Sequence, residues 1–125
     1  MHENEISGII VDCCYKVHIV LCPGLLESVY EEALCIELAR KGLNYERQKD
    51  ISVDYDGVAL DKGFRADVIV ENKVLVEIKS VEEVKKVFKK TVLTYLKFTK
   101  LKLGLLVNFN VSLIKDGIER IVYNL

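Results

Sequence analysis

Two short runs separated by three polar residues constrain this chain more than any other feature. Phe64-Arg65-Ala66-Asp67-Val68-Ile69-Val70 alternates toward its end, and so does Val74-Leu75-Val76-Glu77-Ile78-Lys79. Glu71-Asn72-Lys73 between them reads as the tight turn of a hairpin. If Val70 pairs with Val74, then Val68 faces Val76 and Asp67 stands directly opposite Glu77. Opposed side chains lie about 4.5–5.5 Å apart at Cβ, and like charges there are destabilising. Two carboxylates so placed inside apolar strands require a cation, a shared proton or an exposed face. Lys79 shares the face of Glu77, because strand side chains repeat every two residues. A carboxylate pair with an ammonium beside it is the equipment of a hydrolytic divalent-metal site.

Register decides the matter. A two-residue loop at Asn72-Lys73 pairs Glu71 with Val74 and Asp67 with Ile78, which sends Glu77 to the opposite face unless a bulge intervenes. The intended register on a solvated face leaves Asp67, Glu77 and Lys79 as ordinary surface charges. The spacing alone leaves these readings open.

The chain has 125 residues, half of them hydrophobic, and one proline. That predicts a single domain over residues 1–125 that buries a core without disulfides. No run approaches the roughly 18 apolar residues of a membrane span, and the acidic start Met1-His2-Glu3-Asn4-Glu5 lacks a secretory signal's basic region. A cytoplasmic protein with no membrane partner is expected. Cys13, Cys14, Cys22 and Cys35 form no CxxC pair, and His2 and His18 are isolated, so reduced structural thiols are the favoured reading. Net charge is −1, yet Lys79 to Lys102 holds eight lysines against Glu82 and Glu83. Such a stretch after the hairpin favours a polyanion, although a helix with one solvated face has the same composition.

A helical stripe runs from Glu5 to Leu21 through Ile6, Ile9, Ile10, Cys13, Val17, Val20 and Leu21. After Cys22-Pro23-Gly24 a second helix spans about Leu25 to Lys41, with Leu26, Val29, Tyr30, Ala33, Leu34 and Leu38 inward and Gly42 closing it. An extended segment begins at Leu43, Ile51 to Tyr55 alternates as a strand, and Asp56-Gly57 turns the chain. Beyond the hairpin, a third helix over Val81–Thr99 directs Val84, Val87, Phe88, Thr91, Val92, Tyr95 and Leu96 inward. Leu103–Phe109 reads as a buried central strand and Ile118–Tyr123 as a closing one. The order α-α-β-β-β-α-β-β predicts an α/β fold, a mixed sheet flanked by helices.

Asp on one strand and Glu-x-Lys on the next, in this order of elements, resembles the PD-(D/E)XK nuclease superfamily. More closely, the chain is similar to the small prokaryotic family named for its GxxExxY motif. The likeness runs through Gly24-Leu25-Leu26-Glu27-Ser28-Val29-Tyr30 and its continuation Glu31-Glu32-Ala33-Leu34, Arg65-Ala66-Asp67, Val76-Glu77-Ile78-Lys79, Tyr95-Leu96-Lys97 and Gly104–Phe109. It implies a three-layer α/β/α restriction-endonuclease-like core. It also implies that Asp67, Glu77 and the Ile78 backbone carbonyl hold Mg²⁺ or Mn²⁺, with Glu27 adding a carboxylate from the helix side. Lys79 then orients the attacking water or offsets phosphate charge. Without the resemblance, Glu27 is better read as a carboxylate favoured by a helix N-terminus, and core packing suits Tyr30 at least as well as substrate contact. Two positions depart from the family pattern: Thr91 stands where glutamine usually faces the site, and Cys22 where glycine usually precedes Pro-Gly.

The expected function is metal-dependent hydrolysis of phosphodiester bonds, with Glu27, Asp67, Glu77 and Lys79 catalytic and DNA the expected nucleic acid. Lys86, Lys90 and Thr91 are the expected substrate contacts. The competing class is an inactive nuclease-fold module that binds nucleic acid or a protein through the Lys85–Lys90 face. A structural or oligomerising role is a third, since the aliphatic first helix suits a homodimer interface as well as a core.

Overall fold

Glu71 and Asn72 both take left-handed backbone, with φ of 52° and 55°, and the Lys73 N–H donates to the Val70 carbonyl at 3.0 Å. In the computed structural model, which describes residues 1–125, this turn pairs Val70 with Val74, Ile69 with Leu75 and Val68 with Val76. The two-residue alternative is thereby excluded, and Asp67 and Glu77 come together.

The helices are α1 (Glu3–Leu21), α2 (Glu27–Arg40) and α3 (Lys86–Thr99). The strands are β1 (Tyr45–Ile51), β2 (Asp54–Tyr55), β3 (Val58–Ala59), β4 (Phe64–Val70), β5 (Val74–Lys79), β6 (Leu103–Asn108) and β7 (Ile118–Val122). One sheet has the order β1-β4-β5-β6-β7, while β2 and β3 form a separate small arm turned by Asp56-Gly57. All pairings in the large sheet are antiparallel except β5 with β6. That parallel step needs a crossover, which α3 supplies.

Alternation distributes β5 and β6 to both faces, as buried central strands require. Val74, Val76, Ile78, Leu103, Leu105 and Val107 enter the larger core under α1 and α2, with Ile10, Tyr30, Leu34 and Leu38. Leu75 and Leu106 face the other way and join Val92 and Leu96 of α3. Gly104 lets that helix settle: a Cβ there would lie 2.8 Å from Val92 Cγ1. The α/β class and helix-flanked mixed sheet are those expected.

Several local expectations are corrected. The strand expected over 51–55 begins earlier, at Tyr45, and ends at Ile51, where its partner β4 starts with Phe64. The chain passes so close at this point that a Cβ on Gly63 would sit 1.8 Å from the Ile51 carbonyl oxygen. Helix α3 begins at Lys86 rather than Val81. Asn108 is the reason: its side chain accepts from the Val81 N–H at 3.1 Å and donates to the Val81 carbonyl at 2.9 Å. These two bonds hold the Val81 backbone against the end of β6 and out of a helical turn. Val20, Leu26, Val29 and Val87, expected inward, are exposed, because each lies at the edge or end of its helix's apolar stripe. Tyr30 is fully buried; its hydroxyl donates to the Cys22 carbonyl and accepts from Leu25 N–H, and its ring stacks on Phe109. Cys13, Cys14 and Cys35 are buried free thiols, and Cys22 is an exposed one.

Candidate metal centre

The site grows from an irregularity shared by β1 and β4. Arg47 pairs with Val68 and Lys49 with Ala66, but the intervening Gln48 and Asp67 are unpaired. Gln48 has left-handed backbone, with φ 49°. At this point β4 turns over: Val68 and Val70 pack under α1 and α2, whereas Ala66 packs toward α3 and Phe64 stacks on Tyr95 of that helix. Asp67 occupies the crossover position.

Side chains replace the backbone pairing beyond Val68 and Val76. The Asp67 N–H donates to Glu77 Oε1 at 3.1 Å, and the Ile78 N–H donates to Asp67 Oδ2 at 2.8 Å. Each carboxylate thus satisfies a backbone donor next to the other, which locks the pair across the hairpin. Glu77 is 8% exposed. Burial, and after it the charge of Asp67, pushes the Glu77 carboxyl from 4.5 up to about 8. Lys79 is near enough to oppose this shift, but its ammonium lies over the Phe88 ring, 4.6 Å from the centroid, and forms no ion pair. Up to a pH of about 8 the pair keeps a proton where a cation would otherwise sit, and above it two unpaired negative charges face each other. Burial, then the charges of Glu77 and Asp67, also raise the Tyr95 phenol.

The donor chemistry fits Mg²⁺ or Mn²⁺. Mg²⁺ keeps several waters and commonly takes one or two carboxylates plus substrate phosphates. Two carboxylates are what the hairpin offers, for no cluster of three or more acidic, histidine or cysteine side chains is present.

The other expected residues fall at different distances from this centre. Glu27 is the first residue of α2 and exposed. Leu25, two residues earlier, accepts from Ser80 Oγ at 2.6 Å, so the start of α2 is tied to the end of β5 next to Lys79. Lys86 and Lys90 are exposed on α3, while Lys89 between them is paired with Glu119 at 2.9 Å. Thr91 lies between Phe88 and Tyr95 along α3, but its hydroxyl donates to the Val87 carbonyl of its own helix at 2.8 Å. An open cleft of about 630 Å³ lies farther along β4, lined by Phe64, Arg65, Gly63 and Asp50 among others.

Sequence reasoning missed Glu31, Arg47 and Gln48. Glu31 is buried on α2; its Oε2 accepts from Arg47 Nε at 3.1 Å and Nη2 at 3.0 Å. Gln48 Nε2 donates to Glu31 Oε1 at 2.6 Å and to Asp67 Oδ1 at 3.3 Å. Glu31 carried a faint signal, one residue after the inward Tyr30. Gln48 carried none, because only the strand irregularity aims it.

A protein-family model described as the PD-(D/E)XK nuclease superfamily matches residues 4–121. Neither the comparison with curated proteins nor that with solved structures yields a match.

Proposed function

Because this chain belongs to the PD-(D/E)XK nuclease superfamily, we propose that it is a metal-dependent nuclease of the GxxExxY kind, acting on phosphodiester bonds in DNA. One observation carries the reading: Asp67 and Glu77 meet across the hairpin with no ammonium or guanidinium neutralising either. Asp67, Glu77 and the Ile78 carbonyl are the residues that would hold Mg²⁺ or Mn²⁺. Such a cation, when bound, supplies Lewis acidity to a phosphoryl oxygen and lowers the pKa of water.

The chain's own groups do the rest. Lys79 orients the nucleophilic water or offsets charge on the phosphate, and Phe88 beneath it limits where the ammonium can point. Glu27, tethered near Lys79 by the Leu25–Ser80 contact, adds negative charge at the mouth of the site. Lys86 and Lys90 attract the phosphate backbone along α3. Residues 1–125 act as one domain in this reading. Thr91 favours a second reading, an inactive module that binds without cleaving, since its hydroxyl is committed to Val87.

The test is cleavage of labelled single- and double-stranded DNA and RNA with Mn²⁺, Mg²⁺ or EDTA, beside an identically purified Glu77→Ala protein. Metal-dependent cleavage should fall by about a thousandfold in the variant, the equivalent of about 4 kcal/mol. Cleavage that survives Glu77→Ala, or none on any substrate, overturns the nuclease reading. Retained binding that weakens in Lys86→Ala and Lys90→Ala then selects the module.

A further inference from the structure

The carboxylate of Asp67 is held from the side opposite Glu77 by a chain of three residues from outside the hairpin. Arg47 gives two N–H groups to Glu31 Oε2, fixing a carboxylate whose side chain is 7% exposed. Glu31 Oε1 then accepts from Gln48 Nε2, and the same nitrogen reaches Asp67 Oδ1. An amide nitrogen has two hydrogens, and an ionised carboxylate only accepts. Both hydrogens of Gln48 are therefore committed, one to each acid, and the flipped amide would set its oxygen against two negative groups.

We propose that Gln48 is a positioning residue for the metal centre, with Glu31 and Arg47 as its anchor. The inference rests on the metal-site reading of Asp67 and Glu77. Asp67 Oδ2 is tied to the Ile78 N–H and Oδ1 to Gln48, so both oxygens have a fixed direction and each retains a lone pair. A neutral donor suits this task. Lysine or arginine at position 48 would hold Asp67 as firmly but would supply the positive charge that a cation is needed to bring. Glutamine orients the carboxylate and leaves the centre negative. Its left-handed backbone belongs to the same device, because the irregularity at Gln48 and Asp67 aligns a β1 side chain with both α2 and β4. Groups that orient first-layer ligands typically contribute 10- to 100-fold to metal affinity.

The test titrates Mn²⁺ into the metal-free full chain by calorimetry, comparing wild type, Asp67→Asn and Gln48→Asn. Asparagine tolerates left-handed backbone and keeps the amide, but it is one methylene too short to span both acids. Binding should vanish in Asp67→Asn and weaken by about 10- to 100-fold in Gln48→Asn, read at a temperature where both metal-free variants are fully folded. Undiminished affinity in Gln48→Asn, with binding lost in Asp67→Asn, overturns the positioning role and leaves the metal centre standing. A lowered midpoint with undiminished affinity marks a purely structural tie and overturns it equally. No Mn²⁺ binding in wild type, or binding untouched by Asp67→Asn, overturns the metal centre itself and this inference with it. If Gln48→Asn does not fold, Glu31→Gln decides the matter: it removes the anchor without altering β1, and unchanged affinity there refutes the proposal.

Discussion

The two faces of the sheet differ in what they bury. Beneath α1 and α2 lies a cluster of twenty buried hydrophobic residues, against six beneath α3, so most of the hydrophobic stabilisation belongs to the first face. On β5 the contrast is residue by residue. Val74, Val76 and Ile78 point into the large core, while Leu75, Glu77 and Lys79 point to the face of α3. Helix α3 seats closely where Gly104 and Leu75 pair, and Glu77 and Lys79 lie farther along β5 toward its end. The lesson is a division of labour. One face over-determines the fold, which lets the other keep two carboxylates in a juxtaposition that costs stability.

The strongest way to break this comparison is to truncate one face and read the other. Leu34 is fully buried under α2. Leu34→Ala should lose about 3 kcal/mol in urea unfolding, while Mn²⁺ affinity per folded molecule stays at the wild-type value. Asp67→Asn should do the reverse, abolishing Mn²⁺ binding without loss of stability. The link already present between the faces is Glu31 of α2, which anchors Gln48; were Leu34→Ala to weaken metal binding at temperatures where it is fully folded, the packing of α2 would reach the site as well.

A smaller effect comes from pH. The Glu77 carboxyl has an ordinary value of 4.5 and is raised to about 8 in the folded chain, by burial first and the charge of Asp67 second. Between those values the native state holds a proton that the unfolded state has released, so stability falls as pH rises. The favourable contribution is complete below about 4.5 and is lost as pH passes through about 8. The metal-free protein should therefore melt several degrees lower at the upper end of this window than at the lower. Mn²⁺ should restore the midpoint most at the upper end, and Glu77→Gln should flatten the profile. A wild-type profile as flat as that of Glu77→Gln would show that the pair carries no excess negative charge.

The parts of the molecule legible in sequence are those set by local rules. Three polar residues between alternating runs offered the register that brings Asp67 to Glu77, beside a two-residue alternative that only the structure excludes. The Leu103–Asn108 strand followed from the mostly apolar run Leu103–Phe109. The α3 start did not, because Val81 is captured by Asn108, 27 residues away in the chain. Nor did Gln48, because a glutamine in a mostly polar strand is indistinguishable from its neighbours until the strand turns over. Periodicity reports which side of an element is apolar; it carries no information about a place where the period itself is interrupted. At β1 and β4 that interruption is where the candidate site is built.

The smallest prediction concerns Cys22, which lies outside both faces' main packing. This residue caps the end of α1 with φ 64° and ψ 172°, a region that glycine adopts freely and that a Cβ makes costly. Its carbonyl accepts from the Tyr30 hydroxyl at 2.6 Å, so the strained conformation is held from the core side. Cys22→Gly removes the Cβ conflict but adds chain entropy to the unfolded state, and the two partly offset. A net gain of about 1 kcal/mol is expected, read as a rise in the thermal midpoint. Mn²⁺ affinity should not change, because Tyr30 and the turn belong to the stabilising face. A gain in stability accompanied by altered metal affinity would mean that the α1–α2 turn, through Leu25 and Ser80, sets the position of Lys79 and links the two faces by a second route besides Glu31.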